Sequence, residues 1–282
     1  MNFVDRLLRK INFYSGLTNF PYLSGDSFSS LCDIAINSLP LSTSERSELK
    51  RVNSVFIRSD LLINFIELLP SFNNLNIVVA GNGDANHSNL KIPNDVNIEL
   101  YCQNYAGPNV ENIHLLPLGL ENLELAGSGQ EKYFVSSECA RIFDKVLVPP
   151  HGNTNKERGE EIRNLIGKEQ FVVMEKRLSR RDYFRETSRY KFVLCLEGNG
   201  FDTHRVWETL YQNNFPVVLN TGWSKNLRSL GLPILIVDDF DFLDASILRN
   251  HALENRHYNA RETEVLWASY WQSLFTKGQR GS

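Results

Sequence analysis

The stretch 190–208, YKFVLCLEGNGFDTHRVWE, constrains the fold of this chain more than any other. Residues 192–196 are a short apolar run with a β-branched centre, closed by Gly198 and Gly200. That pattern predicts a buried strand. Residues 203–213 then predict a helix, with Asp202 or Thr203 as its N-cap. At about 100° per residue the helix divides into two faces. Val206, Trp207, Leu210 and Tyr211 share one, and His204, Arg205, Glu208 and Thr209 share the other.

Strand, glycine loop and helix make the layout of an anion site. Glycines such as Gly198 and Gly200 let a backbone approach a ligand closely. The first N–H groups of a helix lack internal partners, and the helix dipole makes that end positive. Each such interaction is worth about 0.3–1 kcal/mol, so several must converge. Arg205 adds a fork of donors suited to phosphate. Glu197 and Glu208 are acceptors whose natural donors are sugar hydroxyls. The combination reads as a site for a sugar nucleotide. The competing reading is an ordinary strand–turn–helix with a solvated polar face, since Gly-x-Gly alone says little.

The rest of the chain repeats the same alternation. Strands are predicted at 54–57, 76–80, 98–102, 114–118, 145–148, 171–174, 215–219 and 234–237. Helices are predicted at 28–36, 61–69, 156–166 and 180–189. Strands alternating with helices give an α/β class with parallel sheets and right-handed crossovers. Asp26 ends a loop and stands where it can cap the helix 28–36 or face a ligand. Asp84 lies in the turn Gly81-Asn-Gly-Asp, just past a strand, where ligands bind in open α/β sheets. It fits a general base, or a turn aspartate bonded to its own backbone. Asn153, Thr154 and Arg158 stand at the start of the helix 156–166, as a second phosphate contact or as simple caps. Arg177, Arg180, Arg181 and Arg185, with Tyr183 and Phe184, read as a solvated helix face rather than an anion site. Trp223, in the turn 220–224, fits base stacking or a core anchor equally. Asp238, Asp239 and Asp241 read as an acidic turn, not a metal site. Leu266, Tyr270 and Leu274, with Trp267 and Trp271 alongside, mark a broad apolar face of a last helix.

The motif Glu197-Gly-Asn-Gly-x-Asp-Thr-His-Arg-x-Trp-Glu208, followed by Phe215-Pro-Val-Val218, resembles the C-terminal half of exostosin-like glycosyltransferases. The likeness is to bacterial members that build capsule or O-antigen polysaccharide. Supporting matches are Ser24-Gly-Asp26, Arg58-Ser-Asp60, Gly81-Asn-Gly-Asp84, Leu116-Pro-Leu-Gly-Leu-Glu-Asn122 and Asn153-Thr-Asn-Lys-Glu-Arg158, so it spans most of residues 20–240. The resemblance implies a GT-B architecture: two Rossmann-like domains with a cleft between them and a C-terminal helix crossing back. Residues 1–122 would form the acceptor domain, 123–144 a linker, 145–260 the nucleotide-sugar domain and 261–282 the final helix and tail. It implies transfer of a hexose from a nucleotide sugar, UDP-linked for preference, to a bacterial surface glycan or its lipid-linked form. The nucleotide sugar is a substrate, and neither a cofactor nor a metal is expected. Glu197, Gly198, Asn199, Gly200, Asp202, Thr203, Arg205 and Glu208 would bind the donor, with Asn153, Thr154 and Arg158 as second contacts. Asp84, Asp26 and His204 are the catalytic candidates, and Arg58, Asp60 and Glu121 the acceptor-binding ones.

Composition narrows the field further. The chain has 282 residues, 42% apolar and 22% charged, with a formal charge of −3, so nothing in its balance argues for nucleic acid. Cys32, Cys102, Cys139 and Cys195 are far apart and make neither a zinc set nor an obvious disulfide framework, which suits a cytoplasmic location. No apolar run reaches the roughly 18–20 residues of a membrane span, and the N-terminus has no secretory signal pattern. Phe3, Val4, Leu7, Leu8, Ile11 and Tyr14 fall on one helical face flanked by Arg6, Arg9 and Lys10. This reads as a helix docked on the core, ahead of an interfacial helix at the inner face of the cytoplasmic membrane. Two rivals stand beside the transferase. One is another sugar-nucleotide enzyme such as an epimerase, disfavoured because no Tyr-x-x-x-Lys follows a dinucleotide-type glycine loop. The other is a catalytically inactive glycan-binding subunit.

Overall fold

The computed structural model describes residues 19–125, 134, 141–151 and 155–276. The N-terminal helix expected before residue 18, the contacts expected of Asn153 and Thr154, and the tail from 277 lie outside them. The chain divides into two compact units, Met1–Gly127 with Glu264–Ser282, and Ser128–Thr263. Each holds a five-stranded, wholly parallel sheet with helices, consistent with a Rossmann-like domain.

The first unit runs α1 (Gly25–Ser30), β1 (Ile34–Ile36), α2 (Thr43–Leu49), β2 (Ser54–Arg58), α3 (Leu62–Ile66), β3 (Ile77–Gly81), β4 (Glu99–Cys102) and β5 (Ile113–Leu115). Its strands lie in chain order, β1-β2-β3-β4-β5. The central strands are continuous apolar runs because both faces are covered. The chain returns to this unit at its C-terminal end. The last helix (Ala268–Thr276) sets Trp271 edge-on to Phe28 at 5.7 Å and Phe275 against Tyr101 at 5.1 Å. Fully burying such a side chain is worth about 1.5–3 kcal/mol.

The sequence misleads at three places in this unit. The expected helix 28–36 ends at Ser30, and Ile34–Ile36 forms the edge strand β1. The N-cap of α1 is Ser24, whose Oγ accepts from the Ser27 N–H, so Asp26 lies in the first turn instead. The buried stripe of the last helix is Ala268, Trp271 and Phe275; it keeps Trp271 from the expected broad face, while Tyr270 and Leu274 are only partly buried.

The second unit runs β6 (Ile142–Val148), α4 (Lys156–Leu165), β7 (Phe171–Val173), α5 (Arg180–Thr187), β8 (Tyr190–Leu194), α6 (His204–Tyr211), β9 (Phe215–Leu219), α7 (Gly222–Ser229), β10 (Leu235–Val237) and α8 (Ala245–Glu254). Its order is β10-β9-β8-β6-β7. Counted from β6, that is the doubly wound order 2-1-3-4-5. One face packs Val146, Phe192, Leu194, Phe215, Val217 and Leu248 into a common core. Trp207, the largest anchor of α6, is fully buried.

Here too the local signals mislead. β6 starts at Ile142, inside the expected linker. Asn155 caps α4, accepting from the Glu157 N–H, where Asn153 or Thr154 was expected. Residues 220–224 are not a bare turn. Thr221 and Ser224 form a capping box that starts α7, which buries Trp223.

Candidate functional site

The second sheet has a reversal of strand order between the neighbours β6 and β8. From β6 the chain leaves toward β7, and from β8 toward β9, in the opposite direction. The loops at those strand ends therefore diverge and leave a crevice, the place where ligands bind in such sheets. Among the described residues, 149–151 and 155 follow β6, and 195–203 follow β8. The first sheet follows chain order and has no such reversal, so the strand-end argument for Asp84 carries less than expected.

The glycine loop is held from below by α4. The buried Arg158 donates from Nε to the Glu197 carbonyl at 2.7 Å and from Nη2 to the same oxygen. Asn155 Nδ2 donates to the Gly198 carbonyl at 3.3 Å. The loop also closes on itself, the Gly198 N–H donating to the Gly200 carbonyl at 2.9 Å. That N–H is thereby spent within the loop, whereas the expectation had it facing a phosphate. A Cβ on Gly198 would stand 3.0 Å from Arg158 Nη2, a tight contact that would shift the guanidinium.

Arg205 leans across the crevice. Its Nη2 donates to the Pro150 carbonyl at 2.9 Å, and its Nε to Tyr183 Oη at 3.3 Å. Burial and the neighbouring Arg205 both lower the pKa of Arg158. Burial, then Arg205 and Arg158, push His151 down to about 2, so this imidazole is neutral at pH 7. Its two ring nitrogens, and Thr203 Oγ1, are buried without hydrogen-bond partners among the described residues. Thr203 is the N-cap of α6, yet its side chain makes no cap bond. Two crowded guanidiniums, an unsatisfied hydroxyl and a helix start are what an anion would relieve.

Beside this lies a small pocket lined by Asn155, Glu157, Arg158, Glu161, Glu197 and Trp223, among others. Burial raises the pKa of Glu197, and Glu161 and Glu157 raise it further. Burial and Glu157 likewise raise that of Glu161, with Arg158 opposing. Three carboxylates crowd one wall, and the Trp223 indole N–H is buried there without a partner among the described residues. No group of three or more His, Cys, Asp or Glu among the described residues could hold a metal ion.

The remaining donor-site candidates are placed as follows. Asp202 is buried and accepts from the Trp207 indole at 2.8 Å, so it anchors the helix. Glu208 is buried beside Arg205, Tyr183 and Cys195, not open to solvent. His204 is half-buried at the first turn of α6, and Asn199 is exposed at the loop tip. Tyr183 leaves the solvated face of α5 and joins the crevice, its hydroxyl pushed up to about 12 mainly by burial. His151, Tyr183, Glu157 and Glu161 are site residues that reading the sequence did not single out as ligand groups.

In the first unit the strand ends are knitted together. Asn122 Oδ1 accepts from the Asp26 N–H at 3.1 Å, and its Nδ2 donates to Asn82 Oδ1 at 3.2 Å. The Glu121 carbonyl accepts from Asn19 Nδ2 at 2.6 Å. Arg58 and Asp60 are exposed and pair with each other at 2.7 Å. Asp84 is exposed just past Gly83, whose carbonyl accepts from Asn104.

No protein-family model matches this sequence, and no curated protein matches it significantly. Among the described residues no helix is long and apolar enough to cross a membrane.

Proposed function

We propose that this chain is a glycosyltransferase of GT-B architecture that moves a hexose from a nucleotide sugar, UDP-linked for preference, to a bacterial surface glycan. The observation that carries the reading is the strand-order reversal, beside which lie two neighbouring guanidiniums, Arg205 and Arg158, with His151 and the Thr203 hydroxyl buried near them. Two five-stranded parallel sheets in separate units, and the likeness of the motif 197–208 to exostosin-like enzymes, support it.

In this reading the diphosphate sits between Arg205 and the start of α6, with Arg158 holding the loop beneath it. Glu197, Glu157 and Glu161 accept from ribose or sugar hydroxyls, a role that the motif alone assigns to Glu208. Glu208 instead balances the Arg205 charge. The acceptor oxygen attacks the anomeric carbon, and the bond from that carbon to the diphosphate oxygen breaks. The electron pair stays on the leaving diphosphate, where two guanidiniums stabilise the developing charge. The acceptor proton passes to a general base, for which the sequence offers Asp84, Asp26 and His204.

A calorimetric and thermal-shift screen against UDP-, GDP-, CMP- and dTDP-sugars tests this. Binding of one class, followed by nucleotide release with a glycan acceptor, is the expected result. A chain that binds glycan and releases no nucleotide is an inactive binding subunit, and one that binds no nucleotide sugar removes the assignment.

A further inference from the structure

The first unit contains a concavity of about 430 Å³ whose lining residues are distinct from the candidates discussed so far. That is within the roughly 300–1,000 Å³ of sites for small organic ligands. One wall is α3, through Ile63, Ile66 and Glu67. The other is the segment 86–91 of the connection between β3 and β4, through His87 and Leu90 above all. That connection, 82–98, contains neither helix nor strand. Loops beyond about 12–15 residues without regular structure are uncommon in compact domains and are usually functional. This one is shaped in advance: Asn86 Oδ1 accepts from the Ser88 N–H at 2.9 Å, and the Leu90 N–H donates to the His87 carbonyl at 3.3 Å.

His87 is 2% exposed; its ring approaches the Ser59 backbone, and neither nitrogen meets a partner at full hydrogen-bond geometry among the described residues. Buried polar groups rarely stay unsatisfied, and leaving one so costs about 1–3 kcal/mol. Burial lowers its pKa, with the Ser59 backbone acting in the other sense, so the ring is neutral at pH 7. A neutral imidazole offers one donor and one acceptor. Its complement is a group that both accepts and donates, which a hydroxyl does and a phosphate or ammonium does not. Glu67 and Lys91 bring opposite charges to the rim, so the lining favours neither ion. Ile63, Ile66 and Leu90 supply apolar surface for the C–H face of a ring.

We infer that this concavity is a binding subsite for an uncharged sugar ring of the acceptor glycan, with His87 bonding a ring hydroxyl and Ile63 covering its apolar face. This rests on the transferase reading and deepens it by placing one acceptor unit.

The test is saturation-transfer NMR of the whole chain with millimolar methyl glycosides of glucose, galactose, rhamnose and N-acetylglucosamine. His87→Phe removes the polar partner. Ile63→Arg alters a residue that is 62% exposed, so it leaves the fold intact. At least one glycoside should receive saturation, and both variants should weaken its binding fivefold or more while nucleotide-sugar affinity stays unchanged. No transfer to any glycoside, or equal binding by Ile63→Arg, overturns the inference. Nucleotide-sugar binding, measured separately, keeps its failure distinct from failure of the transferase assignment.

Discussion

Replacing Arg205 by glutamine probes the crevice most directly. The guanidinium ties α6 to its surroundings, donating to the Pro150 carbonyl after β6 at 2.9 Å and to Tyr183 Oη of α5 at 3.3 Å. A charged hydrogen bond to a bound diphosphate contributes about 1.5–3 kcal/mol. At about 1.4 kcal/mol per tenfold, its loss weakens binding by roughly 10- to 150-fold. One effect opposes this: with Arg205 gone, Arg158 loses its like-charged neighbour and holds its own charge more readily. The expected result therefore falls in the lower half of that range. Isothermal titration with UDP and the best UDP-sugar reads it, with Arg163→Gln on the exposed face of α4 as control. A second readout is independent of affinity. His151 is held down to about 2 by burial, Arg205 and Arg158, so its NMR titration midpoint should rise in the variant. A folded Arg205→Gln chain that binds UDP as wild type does would refute the assignment. An unmoved His151 midpoint would refute the electrostatic argument beneath it.

Three other changes probe the remaining links. Asp84→Asn should cut transfer by roughly 100-fold or more while leaving donor affinity intact; near-normal turnover removes Asp84 from the chemistry. Gly119→Ala should lower thermal stability by at least about 2 kcal/mol. Gly119 sits at φ +73°, and an added Cβ would stand 2.2 Å from the Leu23 carbonyl oxygen. A melting point unchanged by calorimetry would contradict it. Lys191 is buried, its pKa lowered from 10.5 to about 7 by burial first and Arg141 second. The unfolded chain then holds a proton that the folded chain lacks between about pH 7 and 10.5, so stability rises with pH across that window. At 1.36 kcal/mol per pH unit the gain is on the order of 3–5 kcal/mol. Buried Cys102, Cys195 and Tyr183, with raised pKa values, oppose this trend in both proteins above about pH 8, so the readout is the difference in denaturant titrations: wild type relative to Lys191→Met should gain stability with pH, and a difference that does not change with pH would disprove the burial argument.

How much of this was legible depends on range. The strand 215–219 is read to the residue, since a β-branched run flanked by polar residues has one reading. The edge strand β1 is three residues long and follows α1 closely, and Phe28, Leu31, Cys32 and Ala35 stand at the spacing of a single helix face. The helix α7 hides behind Thr221-Gly222, which looks like a turn until Thr221 and Ser224 cap each other. α8 was signalled by Asp244, whose carboxylate accepts from the Ser246 and Ile247 N–H groups, but the acidic run before it masked the cap. The loop and helix 197–208 were legible because chemistry and backbone signals lie side by side. His151 and Tyr183 were not, because they meet Arg205 only through strand order, which local pattern does not encode.

Strand order also accounts for the difference between the two sheets. In the first, the chain leaves every strand in the same direction, and the loops lie over one another. They are free to bond, and they do: Asp26 with Asn122, Asn122 with Asn82, and Leu120 with Leu23 close over the strand ends. In the second, the chain leaves β6 and β8 in opposite directions, and the two sides meet through side chains: Asn155 with the Gly198 carbonyl, Arg158 with the Glu197 carbonyl and Arg205 with the Pro150 carbonyl. His151 and the Thr203 hydroxyl still lack partners at full hydrogen-bond geometry among the described residues. Unsatisfied groups on a well-packed frame are retained at a cost of about 1–3 kcal/mol each. A ligand that satisfies them recovers that cost on binding, which is the ground for proposing an anion at the reversal and an uncharged ring beside His87.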